Sequence, residues 1–67
     1  MKFIYRWTHA RYADSGEIEC KSLEHAIYIA VEELQWNDAC PKEIVNEAGE
    51  VILTYGEIYK EWEKEYG

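Results

Sequence analysis

From Lys2 to His9 the chain alternates. Phe3, Tyr5, Trp7 and His9 fall on one phase, and Lys2, Ile4, Arg6 and Thr8 on the other. A period of two predicts a strand. Ala13-Asp14-Ser15-Gly16 reads as a turn cluster, and Glu17-Ile18-Glu19-Cys20 alternates again. The two segments predict a first hairpin with a long polar connection. The period then changes. After Ser22, suited to an N-cap with Glu24 in the first turn, Leu23, Ala26, Ile27, Ala30, Val31 and Leu34 recur at helical spacing. This predicts an amphipathic helix from Leu23 to near Trp36. Asn37-Asp38 supplies the stop, and Pro41 prevents the helix from resuming.

A second hairpin follows. Lys42 to Asn46 is short and β-prone, Asn46-Glu47-Ala48-Gly49 is a turn, and Glu50 to Thr54 is the returning strand. Tyr55, Ile58, Tyr59, Trp62 and Tyr66 then recur at helical spacing among Glu57, Lys60, Glu61, Glu63, Lys64 and Glu65. That predicts a C-terminal helix with a buried, mainly aromatic stripe and i, i+3 pairs Glu57–Lys60 and Glu61–Lys64. The expected architecture is α+β: hairpin, helix, hairpin, helix, with a four-stranded, mostly antiparallel sheet and both helices on one face. The strand order stays open. With both helices on one face, the other face is bare, and Trp7 or Ile52 would lie exposed there, beside an open edge strand.

Size changes how these elements are weighed. Sixty-seven residues make one domain, and such a chain buries only ~60% of its unfolded surface. Three Trp, six Tyr and one Phe are the available means of building a core. Dense aromatic packing or a homo-oligomer is therefore expected, and the two are compatible. Two aromatic rows compete for the core. Phe3, Tyr5 and Trp7 either lie beneath the helices or form a stacking platform with Lys2 and Arg6; the shortage of core favours the first. The row on the C-terminal helix faces the same choice between core and partner.

Charge narrows the function classes. Fourteen acidic residues stand against seven basic, a formal net charge of -7. Lys2, Arg6 and Arg11 sit in the first eleven residues, which hold no acid; every acid follows. This balance argues against direct nucleic-acid binding and leaves room for a nucleic-acid mimic. The basic end is a candidate anion- or nucleotide-binding element, with Lys2, Arg6 and Arg11 facing phosphate and Tyr5 or Trp7 stacking on a base. No apolar leader or membrane span is present, so a cytoplasmic location and reduced Cys20 and Cys40 are expected.

Candidate chemistry is sparse. His9, Cys20, His25 and Cys40 form a nominal two-Cys, two-His set, without the short paired spacing that zinc sites use. Neither cysteine lies in a nucleophile motif, and 67 residues leave little room for a cleft. The runs Glu32-Glu33 and Glu61-x-Glu63-x-Glu65 read as solvated helix faces rather than acid/base pairs. No cofactor, metal or catalytic residue is expected, and the chain is expected not to be an enzyme.

One stretch carries a resemblance. A helix followed by Pro41-x-x-Ile44-x-Asn46-x-x-Gly49-x-Val51 resembles a pattern in small, acidic phage and prophage proteins, although Asp usually stands where this chain has Asn46. Some proteins of that kind block bacterial defence or host enzymes by binding them, and others sequester nucleotides. The resemblance implies an anti-defence interaction protein and assigns no residue. The residues instead point to Trp36, Tyr59, Trp62 and Tyr66 as a partner-binding set, with Glu61, Glu63 and Glu65 as a charged rim facing a basic protein surface. The other readings are a mimic, a nucleotide sponge and a structural homodimer.

Overall fold

The computed structural model describes residues 2–9, 11, 14–36 and 39–67. Its elements run β1 (Phe3–His9), β2 (Ser15–Cys20), α1 (Leu23–Trp36), β3 (Ala39–Asn46), β4 (Val51–Thr54) and α2 (Tyr55–Tyr66). The sheet order is β2-β1-β3-β4, and every neighbouring pair is antiparallel. This is the expected α+β architecture. The Cα trace fits 29 × 29 × 17 Å, a slab of one sheet and one helical layer.

Tyr5 and Ile44, paired across β1 and β3, meet Ala26 and Ala30 of α1, Ile58 of α2 and Cys20 of β2 in one buried cluster. Both helices therefore lie on the same face. Their contributions are small. Ala26 and Ala30 let α1 sit close to the sheet, and the volume is filled from below by the ring of Tyr5. Phe3, Trp7, Ile18, Leu23, Ile27, Ile29 and Leu53 pack around this centre. The N-terminal aromatic row is thus core, and Trp7 is not exposed on the bare face.

Several local expectations need correction. Ser15 and Gly16 are strand residues, not turn residues, while Ala13 lies outside the described positions. Gly16 sits opposite Trp7, whose indole packs against it: a Cβ there would come within 2.6 Å of Trp7 Cε2. The glycine is needed for close approach, not for a bend. β3 is longer than expected and includes Pro41. The strand tolerates it because β4 pairs only with Glu43 to Val45, so Pro41 lies beyond that ladder, next to a bulge that leaves Lys42 unpaired. The stop at Asn37-Asp38 falls outside the described residues.

The capping expectations fare better. Ser22 Oγ accepts from the backbone of His25 at 3.1 Å, as an N-cap should. In the second hairpin Asn46 Oδ1 accepts from the backbone of Ala48 (3.0 Å) and Glu50 (2.9 Å), and Gly49 takes φ 83°. An Asp would offer the same acceptor oxygen, which accounts for Asn or Asp at this place in such turns. Glu57 does not pair with Lys60. Its carboxylate accepts from the Thr54 backbone at 3.1 Å, while Thr54 Oγ1 accepts from the Glu57 backbone at 3.4 Å. This capping box starts α2 at the residue that ends β4.

Candidate protein-binding surface

The aromatic stripe of α2 is mostly not buried, contrary to the expectation. Only Ile58 reaches the core, while Tyr55, Tyr59 and Tyr66 are exposed and Trp62 is half-buried. The cause is the wheel of the helix. With 3.6 residues per turn, Ile58 points down, and Tyr55, Tyr59 and Tyr66 rotate to one side of it. The small core needs one side chain from α2, so the rest of the stripe faces outward.

These rings touch in sequence. Tyr55 and Tyr59 have centroids 6.1 Å apart, Tyr59 and Trp62 5.2 Å, and Trp62 and Tyr66 6.4 Å. Trp36, at the end of α1, meets Tyr66 edge-on at 6.3 Å and 89°. Such spacings suit favourable ring quadrupole contacts, ~0.5–1.5 kcal/mol each. Two hydrogen bonds lock the end of the row to α1. Trp62 Nε1 donates to Gln35 Oε1 at 2.9 Å, and the Tyr66 hydroxyl donates to Glu32 Oε2 at 3.2 Å. Desolvation raises the Tyr66 phenol above its ordinary pKa; a hydrogen bond with Trp36 opposes this, and the carboxylates of Glu32 and Glu65 add to the rise, so the phenol stays a donor. The result is a ledge of five aromatic side chains across both helices. Trp36 is the most open of them, at 67% exposure.

The structure thus brings Trp36, Tyr59, Trp62 and Tyr66 together as one surface. It splits the acidic rim. Glu61 and Glu65, at i and i+4, turn into the groove between the helices, whereas Glu63 is fully turned to solvent elsewhere on α2. In that groove they oppose Glu24, Tyr28 and Glu32, which follow each other at i, i+4 and i+8 on α1, above a floor of Ile27 and Val31. Its volume is about 300 Å³. Tyr55, Tyr28 and Gln35 join this surface but were not in the partner-binding set the sequence pointed to. Tyr55 was readable from its place one turn before Tyr59; Tyr28 and Gln35 carry no sequence signal that separates them from any polar helix face.

The proposed basic element looks different once folded. Arg6 donates to Glu17 on β2 at 2.7 Å and to Glu43 on β3 at 2.9 Å, and Lys2 Nζ pairs with Glu19 at 3.0 Å. Hydrogen bonds to these carboxylates hold the Arg6 guanidinium and the Lys2 amine above their ordinary pKa values. Alternation also puts Arg6 on the bare face and Tyr5 and Trp7 beneath the helices, so no stacking platform forms with them. Arg11 is exposed, and its backbone N–H donates to His9 Nδ1 at 3.1 Å.

The thiols are separated as well. Cys20 lies opposite Phe3 and Cys40 opposite Thr8, roughly 17 Å apart along β1, too far for a disulfide. Burial pushes the Cys20 thiol up. Among the described residues no three His, Cys, Asp or Glu side chains gather to hold a metal, and no helix is long and apolar enough to cross a membrane. Comparison with protein-family models, curated proteins and solved structures returns no match.

Proposed function

We infer that the protein is a small non-enzymatic interaction protein. It grips a protein partner with the ledge of Tyr55, Tyr59, Trp62, Tyr66 and Trp36, and by doing so inhibits or modulates it. The observation that carries this reading is the run of touching, solvent-facing rings on a domain short of core. Rings that the small core does not take up gain by being buried against another molecule, and contiguous exposed aromatic surface is the composition of binding hot spots. The acidic helices would speed encounter with a basic partner and lose that effect at high salt. The hairpin resemblance suggests a phage-type anti-defence factor as the setting.

The test is a tagged capture from bacterial lysate with the wild type and a Trp36→Ala/Tyr59→Ala variant. Mass spectrometry then identifies both proteins and nucleotides in the eluate. A stoichiometric protein lost by the variant, whose circular dichroism and melting match the wild type, supports the ledge. A protein captured equally by both overturns it. Self-association through the same ledge is a second reading, favoured by the openness of Trp36. A molar mass that doubles with concentration, and stays monomeric in the variant, would select it.

A further inference from the structure

The groove between α1 and α2 combines three features. Its floor, Ile27 and Val31, is apolar; its walls carry Glu24 and Glu32 on one helix and Glu61 and Glu65 on the other; and Tyr28 stands on its rim with 63% exposure. The internal neutralisation is slight. Lys64 reaches Glu61 at 3.3 Å, Tyr66 donates to Glu32, and no cation of the described residues pairs with Glu24 or Glu65. Like charges spaced at i, i+4 work against a helix. On the sheet side Arg6 sits between Glu17 and Glu43 and Lys2 pairs with Glu19; here carboxylates line both sides of an apolar strip.

We propose that this groove receives an arginine side chain of the protein partner. The chemistry matches part for part. The methylene stem of arginine covers the apolar floor while its head stays among charges. The planar guanidinium donates to carboxylates in pairs and stacks on the Tyr28 face. A volume of about 300 Å³ lies at the lower end of ligand sites, suited to one side chain rather than a free ligand. The groove adjoins the aromatic ledge at Glu32, where Tyr66 donates, so one partner segment spans both. The proposal rests on the ledge as a protein-binding surface and names the chemistry of what docks beside it.

The test uses N-acetyl-arginine amide as the probe, titrated into the isotopically labelled full chain at low salt, with N-acetyl-citrulline amide as the neutral counterpart. Arginine amide is expected to shift the backbone amides of Ile27, Tyr28, Val31, Glu61 and Glu65 saturably, and citrulline amide to leave them in place. The Glu61→Gln/Glu65→Gln variant, which removes the α2 carboxylates that line the groove, should weaken the arginine response by about threefold or more. Equal response to citrulline, shifts scattered over every carboxylate of the protein, or an unchanged response in that variant would overturn the proposal. The ledge fails separately: Trp36→Ala/Tyr59→Ala should abolish partner capture while leaving the arginine titration unchanged.

Discussion

The two sides of the sheet handle charge and aromatic surface in opposite ways. On the bare side, Lys2, Arg6, Glu17, Glu19 and Glu43 form pairs that satisfy one another across three strands. On the helical side, five aromatic side chains face water and most carboxylates have no cation at hand. Lys42 has no carboxylate partner there among the described residues, but a surface whose charges are mostly partnered gains little from a second molecule. A surface holding unpaired charge beside open rings gains much. The contrast is what favours the helices over the sheet in the proposed partner-binding role.

The most damaging way to break the contrast is from the core. Ile58→Ala removes the buried residue of α2, at a cost of about 2–5 kcal/mol. A domain of this size has little stability to lose, so urea denaturation should show it largely unfolded and ledge and groove lost together. Gly16→Val should come close behind, since the Trp7 ring would have to leave its place over β2; the same denaturation series measures it.

Binding should fall next. Trp36→Ala/Tyr59→Ala is expected to weaken partner affinity by about thirtyfold or more, as truncation of hot-spot rings does. Melting should stay near wild type because Trp36 and Tyr59 are both exposed and neither belongs to the buried cluster. Arg6→Ala is the matched control on the other side. It should cost little stability, since water and salt screen the ion-pair network, and leave calorimetric affinity unchanged. A large loss of binding in Arg6→Ala would mean that the sheet, not the helices, is recognised.

Tyr5 sharpens the comparison from beneath. It is fully buried, and its hydroxyl finds no hydrogen-bond partner among the described residues. Burial first, then Glu33 and Cys40, push its phenol well above the ordinary range. Tyr5→Phe should therefore stabilise the fold by about 1 kcal/mol, relieving an unsatisfied buried group. The sign with pH follows. The folded state holds the Tyr5 proton after the unfolded state has released it, so stability is full below the unfolded pKa. It falls from about pH 10 upward until the folded phenol also ionises. The buried Cys20 thiol acts in the same sense from about pH 8.5. Alkaline unfolding followed by circular dichroism should shift to higher pH in Tyr5→Phe.

Much of the fold was legible because its signals are local. Periods of two and 3.6, Ser22, Asn46 and Gly49 mark the elements and turns, and each does in the structure what its chemistry implies. What could not be read depends on distance in space. Pro41 stops a helix in sequence terms, yet it extends a strand because the neighbouring ladder is short. Gly16 looks like a turn residue until Trp7 is seen packed against it. The α2 aromatics have the spacing of a core stripe, and only the count of residues already filling the core shows that they are surplus. Arg6 appeared free because Glu17 and Glu43, eleven and 37 positions away, are brought to it only by strand pairing. Trp36, Tyr59, Trp62 and Tyr66 emerged as a group from composition; the groove did not, since it needs two helices side by side.

The capping box at Thr54 has a consequence for recognition. β4 ends and α2 begins with no linker residue between them, and the same threonine closes both. The ledge is therefore set at a fixed angle to the sheet before any partner arrives. Hydrogen bonds from Trp62 to Gln35 and from Tyr66 to Glu32 hold its far end to α1 in the same way. Side chains already immobilised in the free protein lose little entropy on association. Such pre-organisation lets a very small domain spend nearly all of its modest contact area on affinity.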